Sequence, residues 1–185
     1  FESRVVYFCS VDHLICICLE RNVAETWLNI LYELLYNVEK SELANDFYCA
    51  YLLTMLQDVF AVLTDTFHKP GFKLHAQILA KLFAVVETGR VTVPLWNQTA
   101  ANASQWSNNQ QFIRAFVEDL LRNAFPQVTP QQITVFVQGL FQLHHDITRF
   151  QSHLRDFLIQ LKEFSQSQLP SPFTRFSGYA NVLIL

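Results

Sequence analysis

TPQQITVFVQGLFQLHHDITRFQSHLRDFLIQLKEF, residues 129–164, reads as two helices and the turn between them. Ile133, Phe136, Val137, Leu140 and Phe141 recur at steps of one, three and four, and so they fall on one stripe of a helix with 3.6 residues per turn. Ile147, Phe150, Leu154, Phe157, Leu158 and Leu161 repeat the pattern. Thr129 followed by Pro130 is a start signal: the threonine oxygen can accept a first-turn N–H, and proline lacks a donor that the first helical position does not need. Asp146 stands where a carboxylate accepts the unpaired N–H groups of the second helix. Neither helix can bury its stripe alone, so the pair requires neighbours.

Working outward, five more segments show the same period. Glu2–Leu19 is apolar nearly all round. Asn22–Val38 carries Val23, Trp27, Ile30, Leu31, Leu34, Leu35 and Val38 on a stripe, with Asn22 as N-cap and Glu25 placed to complete a capping box. The next is capped by Ser41 and runs to about Thr66, with Phe47, Tyr48, Tyr51, Leu52, Met55, Leu56, Val59, Phe60 and Leu63 inward until Lys69-Pro70-Gly71 ends it. Lys73–Thr88 sets Leu74, Ile78, Leu79, Leu82, Phe83 and Val86 on one side and stops at Gly89, the residue favoured just beyond a helix end. Residues 90–107 have no period and are rich in Asn, Gln, Ser and Thr, which predicts a long exposed loop. Asn108–Phe125 follows, with Phe112, Phe116, Val117, Leu120, Leu121 and Ala124 inward and Pro126 closing it.

Helix, short turn, helix at intervals of about 40 to 50 residues is the spacing of HEAT-type arrays, in which each antiparallel pair shelters the next. The expected fold class is all-α: a HEAT-repeat α-solenoid, that is, an α-α superhelix of right-handed sense. It comprises about three helix pairs plus a closing helix. Residues 1–164 form the array and 165–185 an irregular, proline-broken tail.

Composition narrows the function. Half the residues are apolar (51%), enough for a buried core in one domain. Thirteen basic against sixteen acidic residues, with no run of Lys or Arg, argue against direct nucleic-acid binding. The four cysteines, Cys9, Cys16, Cys18 and Cys49, lack paired spacing, which suits reduced thiols. Val5–Leu19 falls short of the roughly 20 apolar residues a membrane span needs, so no membrane partner is expected. The start at Phe1, without a Met or a signal-peptide pattern, reads as a piece of something longer. With one apolar face left open, that piece is expected to be marginally stable or to self-associate in isolation.

His144-His145-Asp146 with His153 is the best metal set, but adjacent histidines point about 100° apart on a helix. A capped turn with solvated imidazoles explains the same residues. His13, Cys16 and Cys18 lack a fourth ligand, and Cys16 and Cys18 face opposite sides. Cys9 and His13 could meet as a thiolate–imidazole pair, yet no oxyanion hole accompanies them and core packing is the simpler reading. His68 and His75, flanking Pro70-Gly71, read as solvated. Asn97-Gln98-Thr99 and Asn102-Ala103-Ser104 match the glycosylation pattern, as a loop rich in these residues does by chance. Arg155, Asp156, Lys162 and Glu163 form a solvated face or a docking surface. No catalytic, cofactor or metal site is therefore expected, and an enzyme is not expected.

ERNVAETWLNILYELLYNV (20–38), FYCAYLLTMLQDVFAVLTDTFHKPGFKLHAQILAKLFAVVETG (47–89) and FVQGLFQLHHDITRFQSHLRDFLIQLKEF (136–164) closely resemble the C-terminal region of the exportin-1 family, nuclear export receptors of the karyopherin-β class. The resemblance covers about residues 1–164. It implies a receptor that binds leucine-rich export-signal cargo with Ran-GTP, passes phenylalanine-glycine nucleoporins and shuttles between nucleus and cytoplasm, without catalysis or cofactor. The stacked helices would act as a spring coupling Ran and cargo. The family's signal-binding groove lies in repeats outside this chain, so no protein-binding residue is carried over. Two stretches depart from the family: the loop 92–107 is longer and richer in Asn, and 165–185 does not resemble the acidic family tail. The alternative is a HEAT-type scaffold that binds unrelated partners, since fold alone does not set function.

Overall fold

The chain was analysed as a computed structural model, which describes residues 21–64, 71–98 and 106–167. These hold six α-helices: α1 Arg21–Val38, α2 Ala44–Thr64, α3 Phe72–Glu87, α4 Asn109–Ala124, α5 Pro130–Leu143 and α6 Ile147–Ser167. A 3₁₀ turn at Leu95–Gln98 lies between α3 and α4, and no strand occurs among the described residues. The predicted helix at 2–19, residues 65–70 with His68, residues 99–105 and the segment 168–185 lie outside them.

The helices stack as a HEAT-like array. α2 pairs with α3 and α4 with α5; α1, α3 and α5 form one layer, while α2 lies against α4 in the other. α6 closes the array differently, folding across α5 and α3. That makes α3 the centre. Its His75, Ala76, Ile78, Leu79, Ala80, Leu82, Phe83, Val85 and Val86 are all buried, a wider apolar surface than a helix with one covered side presents. Phe83 joins three helices: its ring meets Phe141 of α5 edge-on at 4.8 Å and Phe150 of α6 at 6.3 Å.

Helix ends follow their chemistry. The α3 chain reverses through a Schellman motif, with Gly89 at φ 65° and N–H groups of Gly89 and Arg90 returning to the carbonyls of Val86 and Val85. Asn108 caps α4 by accepting from the Gln111 N–H. Thr129 and Gln132 form a reciprocal capping box on α5. Asp146 Oδ1 accepts from the N–H groups of Thr148 and Arg149 to start α6.

Several expectations are corrected. Asn22 lies within α1, whose described range is Arg21–Val38. Ser41 does not cap α2; its hydroxyl donates to the Val38 carbonyl and closes the end of α1. The α1 stripe is rotated: Leu28 and Leu35 are buried while Ile30 is half exposed, because the observed contact of α1 is with α3. In α4, Ala124 is exposed and Ile113 is buried, since α4 also meets α2 and α3. α6 runs three residues past Phe164, to Ser167.

Part of the predicted exposed loop is anchored. Val91 and Leu95 are buried. The Asn109 amide donates to the carbonyls of Val91 and Val93 at 2.8 and 2.9 Å and accepts from the Leu95 N–H at 2.9 Å. Trp96 and Trp106 both meet the Phe112 ring edge-on. Polar composition concealed this because one asparagine supplies the turn's hydrogen bonds while two tryptophans supply its grease. Separately, α2 over Ala44–Leu63 is long and apolar enough to cross a membrane by length and composition; its Tyr48, Leu52, Met55, Leu56, Val59 and Phe60 are instead buried in the array.

Candidate functional site

Polar side chains at the inner helix boundaries are tied to backbone carbonyls. His75 is buried and its Nδ1 donates to Gly71 O at 2.9 Å, which corrects its expected solvation. His144 Nδ1 donates to Phe141 O at 2.7 Å and His153 Nε2 to Phe136 O at 2.9 Å. A carbonyl oxygen only accepts, so each of these nitrogens carries a proton and cannot ligate a metal as it stands. His145 is exposed, its ring 5.6 Å from that of His144 and nearly perpendicular. Among the described residues no three His, Cys, Asp or Glu groups stand close enough to hold a metal ion. Cys9, His13, Cys16, Cys18 and His68 lie outside those residues, as do Thr99 and Asn102-Ala103-Ser104.

Cys49 shows the reverse of nucleophile activation. Burial, then the neighbouring Asp46, raises its thiol pKa, which reduces the thiolate fraction that reactivity requires. Tyr48 is fully buried, and burial followed by Glu39 pushes its phenol up to about 12. Its hydroxyl donates to Leu35 O at 3.4 Å, while Glu39 itself pairs with Lys81 of α3. These groups pin the α1–α2 turn to α3.

The outer faces of α5 and α6 enclose a groove of about 400 Å³, lined by Gln132, Val135, Phe136, His153, Asp156 and Phe157, among others. Its floor is aromatic: Phe136 stacks on Phe157 with centroids 3.8 Å apart, and on His153 at 5.1 Å. Val135 is 59% exposed at its rim. Gly139 makes this packing possible. A Cβ there would lie 2.2 Å from His153 Nε2, so only glycine lets His153 cross α5 to reach Phe136 O. The sequence carried one signal of this, a glycine in a helix interior with no turn to explain it.

The charged face of α6 is not simply solvated. Arg155 lies over the Phe72 ring at 5.4 Å, tying α6 to the start of α3, while Asp156 points into the groove lining. On α4, Arg114 stacks over Phe141 at 4.5 Å. Such contacts hold neighbouring helix pairs in register.

Stacked helix pairs bearing an aromatic-floored groove can be set beside known proteins. The profile of the family described as CRM1 C terminal matches residues 11–166. The chain belongs to the CRM1 C-terminal family. That match takes in α1 to α5 and nearly all of α6. CRM1 relatives include Protein EXPORTIN 1B of Arabidopsis thaliana, 51% identical over 146 residues. Exportin-1 of Schizosaccharomyces pombe is 46% identical over 148 residues, each of the two alignments covering 79% of this chain and 14% of the relative. Exportin-1 of Drosophila melanogaster is 41% identical over 144 residues, 77% of this chain and 13% of that protein. The chain thus spans about one seventh of the length of these CRM1-family relatives.

Proposed function

We propose that this chain forms part of a nuclear export receptor, which carries leucine-rich export-signal cargo out of the nucleus together with Ran-GTP. It acts by protein binding and without catalysis, and its parent shuttles between nucleus and cytoplasm past phenylalanine-glycine nucleoporins. The observation that carries this reading is 51% identity over 146 residues to a protein named for export, coupled to a HEAT-like stack of the same stretch.

Mechanistically, each helix pair contributes a small hinge, and α3 couples them because it touches α1, α2, α4, α5 and α6. A shift imposed on one layer is therefore felt across the unit, which is what linked binding of two partners requires. The test uses the full-length parent. It should retain Ran loaded with GTP over Ran loaded with GDP, and an export-signal peptide should tighten that binding. Equal binding of both nucleotide forms, with no response to peptide, refutes the reading and favours a HEAT scaffold with other partners.

A further inference from the structure

We propose that Thr129, on the rim of the α5–α6 groove, is a phosphorylation site for a proline-directed protein kinase and that its phosphate tightens the start of α5. Among the described residues Thr129 is the one serine or threonine followed by proline. Thr129, Pro130, Gln131 and Gln132 are exposed in succession, while buried Val128 fixes the chain just before them. The Thr129 backbone is extended, at φ −66° and ψ 144°, the region that a residue before proline favours. An extended acceptor is the form that a kinase cleft takes, and the proline after it brings no N–H that the cleft would have to satisfy.

The hydroxyl can be released without disturbing the core. It donates to Gln132 Oε1 at 2.7 Å and accepts from the Gln132 N–H at 3.3 Å, so both of these bonds stay within one exposed turn. In the transfer, Thr129 Oγ1 bonds to the γ-phosphorus of a magnesium-bound nucleoside triphosphate as the bond to the β-phosphate oxygen breaks. The nucleoside diphosphate leaves, and the hydroxyl proton passes to the kinase's catalytic carboxylate. The product carries a charge of about −1.5 to −2 at neutral pH. That charge stands where the hydroxyl now accepts from the first turn of α5, a position at which a stronger acceptor favours the helix. It also joins Asp156, otherwise the one carboxylate lining the groove, so modification turns a nearly neutral groove mouth into an anionic one.

The experiment treats the full 185-residue chain with a cyclin-dependent kinase and magnesium-ATP under native conditions and maps the phosphate by peptide mass spectrometry. Phosphate at Thr129 is expected. Thr129→Ser should keep the label at this position and Thr129→Ala should lose it, while Ser171-Pro172, the other such pair in the sequence, serves as an internal control for kinase activity. Pro130→Ala should slow labelling of Thr129 by more than about tenfold. Amide exchange at Gln132 and Ile133 should slow several-fold in the phosphorylated chain. Label confined to Ser171, or reaching Thr129 only in urea, overturns the proposal, and so does a labelling rate indifferent to Pro130→Ala. Mapping the unsubstituted chain decides the site even if a variant fails to fold. Exchange that is unchanged or faster after phosphorylation overturns the tightening of α5.

Discussion

Replacing Gly139 by alanine sets two effects of opposite sign against each other. Helix propensity favours alanine over glycine in a helix interior by about 1 kcal/mol. Against it, the new Cβ would fall 2.2, 2.5 and 2.9 Å from His153 Nε2, Cε1 and Cδ2, distances that force the imidazole out of its seat. His153 would lose its bond to Phe136 O, worth about 1 kcal/mol net, and its stack on Phe136, worth about 0.5–1.5 kcal/mol. Displacing a half-buried ring in a packed interface adds about 1–3 kcal/mol. The losses exceed the gain, leaving a net destabilisation of about 1.5–4.5 kcal/mol. At this chain length each kcal/mol moves Tm by about 2–4 °C, so a fall of about 3–18 °C is expected by circular dichroism. The decisive control is the same substitution in a His153→Ala background, where the clash is absent and alanine should stabilise by about 1 kcal/mol. If Gly139→Ala raises Tm while His153 is present, or if its effect is the same in both backgrounds, the close approach is not what selects glycine.

Three further outcomes are expected. Phe83→Ala should cost about 3–5 kcal/mol in denaturant unfolding, because one ring is shared by α3, α5 and α6, whereas Val135→Ala at the exposed rim should change stability by less than about 0.5 kcal/mol. Asn109→Ala removes the partner of three backbone groups around Val91, Val93 and Leu95; limited proteolysis should then cut within 91–98 several-fold faster, and an unchanged cleavage rate counts against the anchor. Tyr48, raised to about 12, holds its proton more tightly folded than unfolded, so its contribution is intact below about pH 10 and declines as pH rises toward 12. Absorbance titration should show a late-ionising tyrosine, and Tyr48→Phe should remove that late step.

Local chemistry made the helices legible in advance. Thr129-Pro130, Asp146, Asn108 and Gly89 act at the ends where their side chains, ring or φ freedom predict. The α5 stripe of Ile133, Phe136, Val137, Leu140 and Phe141 is buried in full. The failures share one cause. Ile30 and Ala124 lie off the buried faces while Leu28 and Ile113 lie on them, because periodicity marks a stripe without saying which neighbour covers it or how wide that neighbour is. Ser41 was misread because a hydroxyl can serve either end of a turn, and only the chain path decides which.

What the sequence determined by itself is the set of rods, their order and their family resemblance, because caps and apolar period act within a few residues of one another. Only the tertiary structure decided that α6 crosses back over α5 and α3, that His75 goes inside, and that Gly139 leaves room for His153 to reach Phe136 O. Those facts join residues 14 or more positions apart or on different helices, and no local rule carries information across such distances; they arise when several apolar faces compete for the same neighbour.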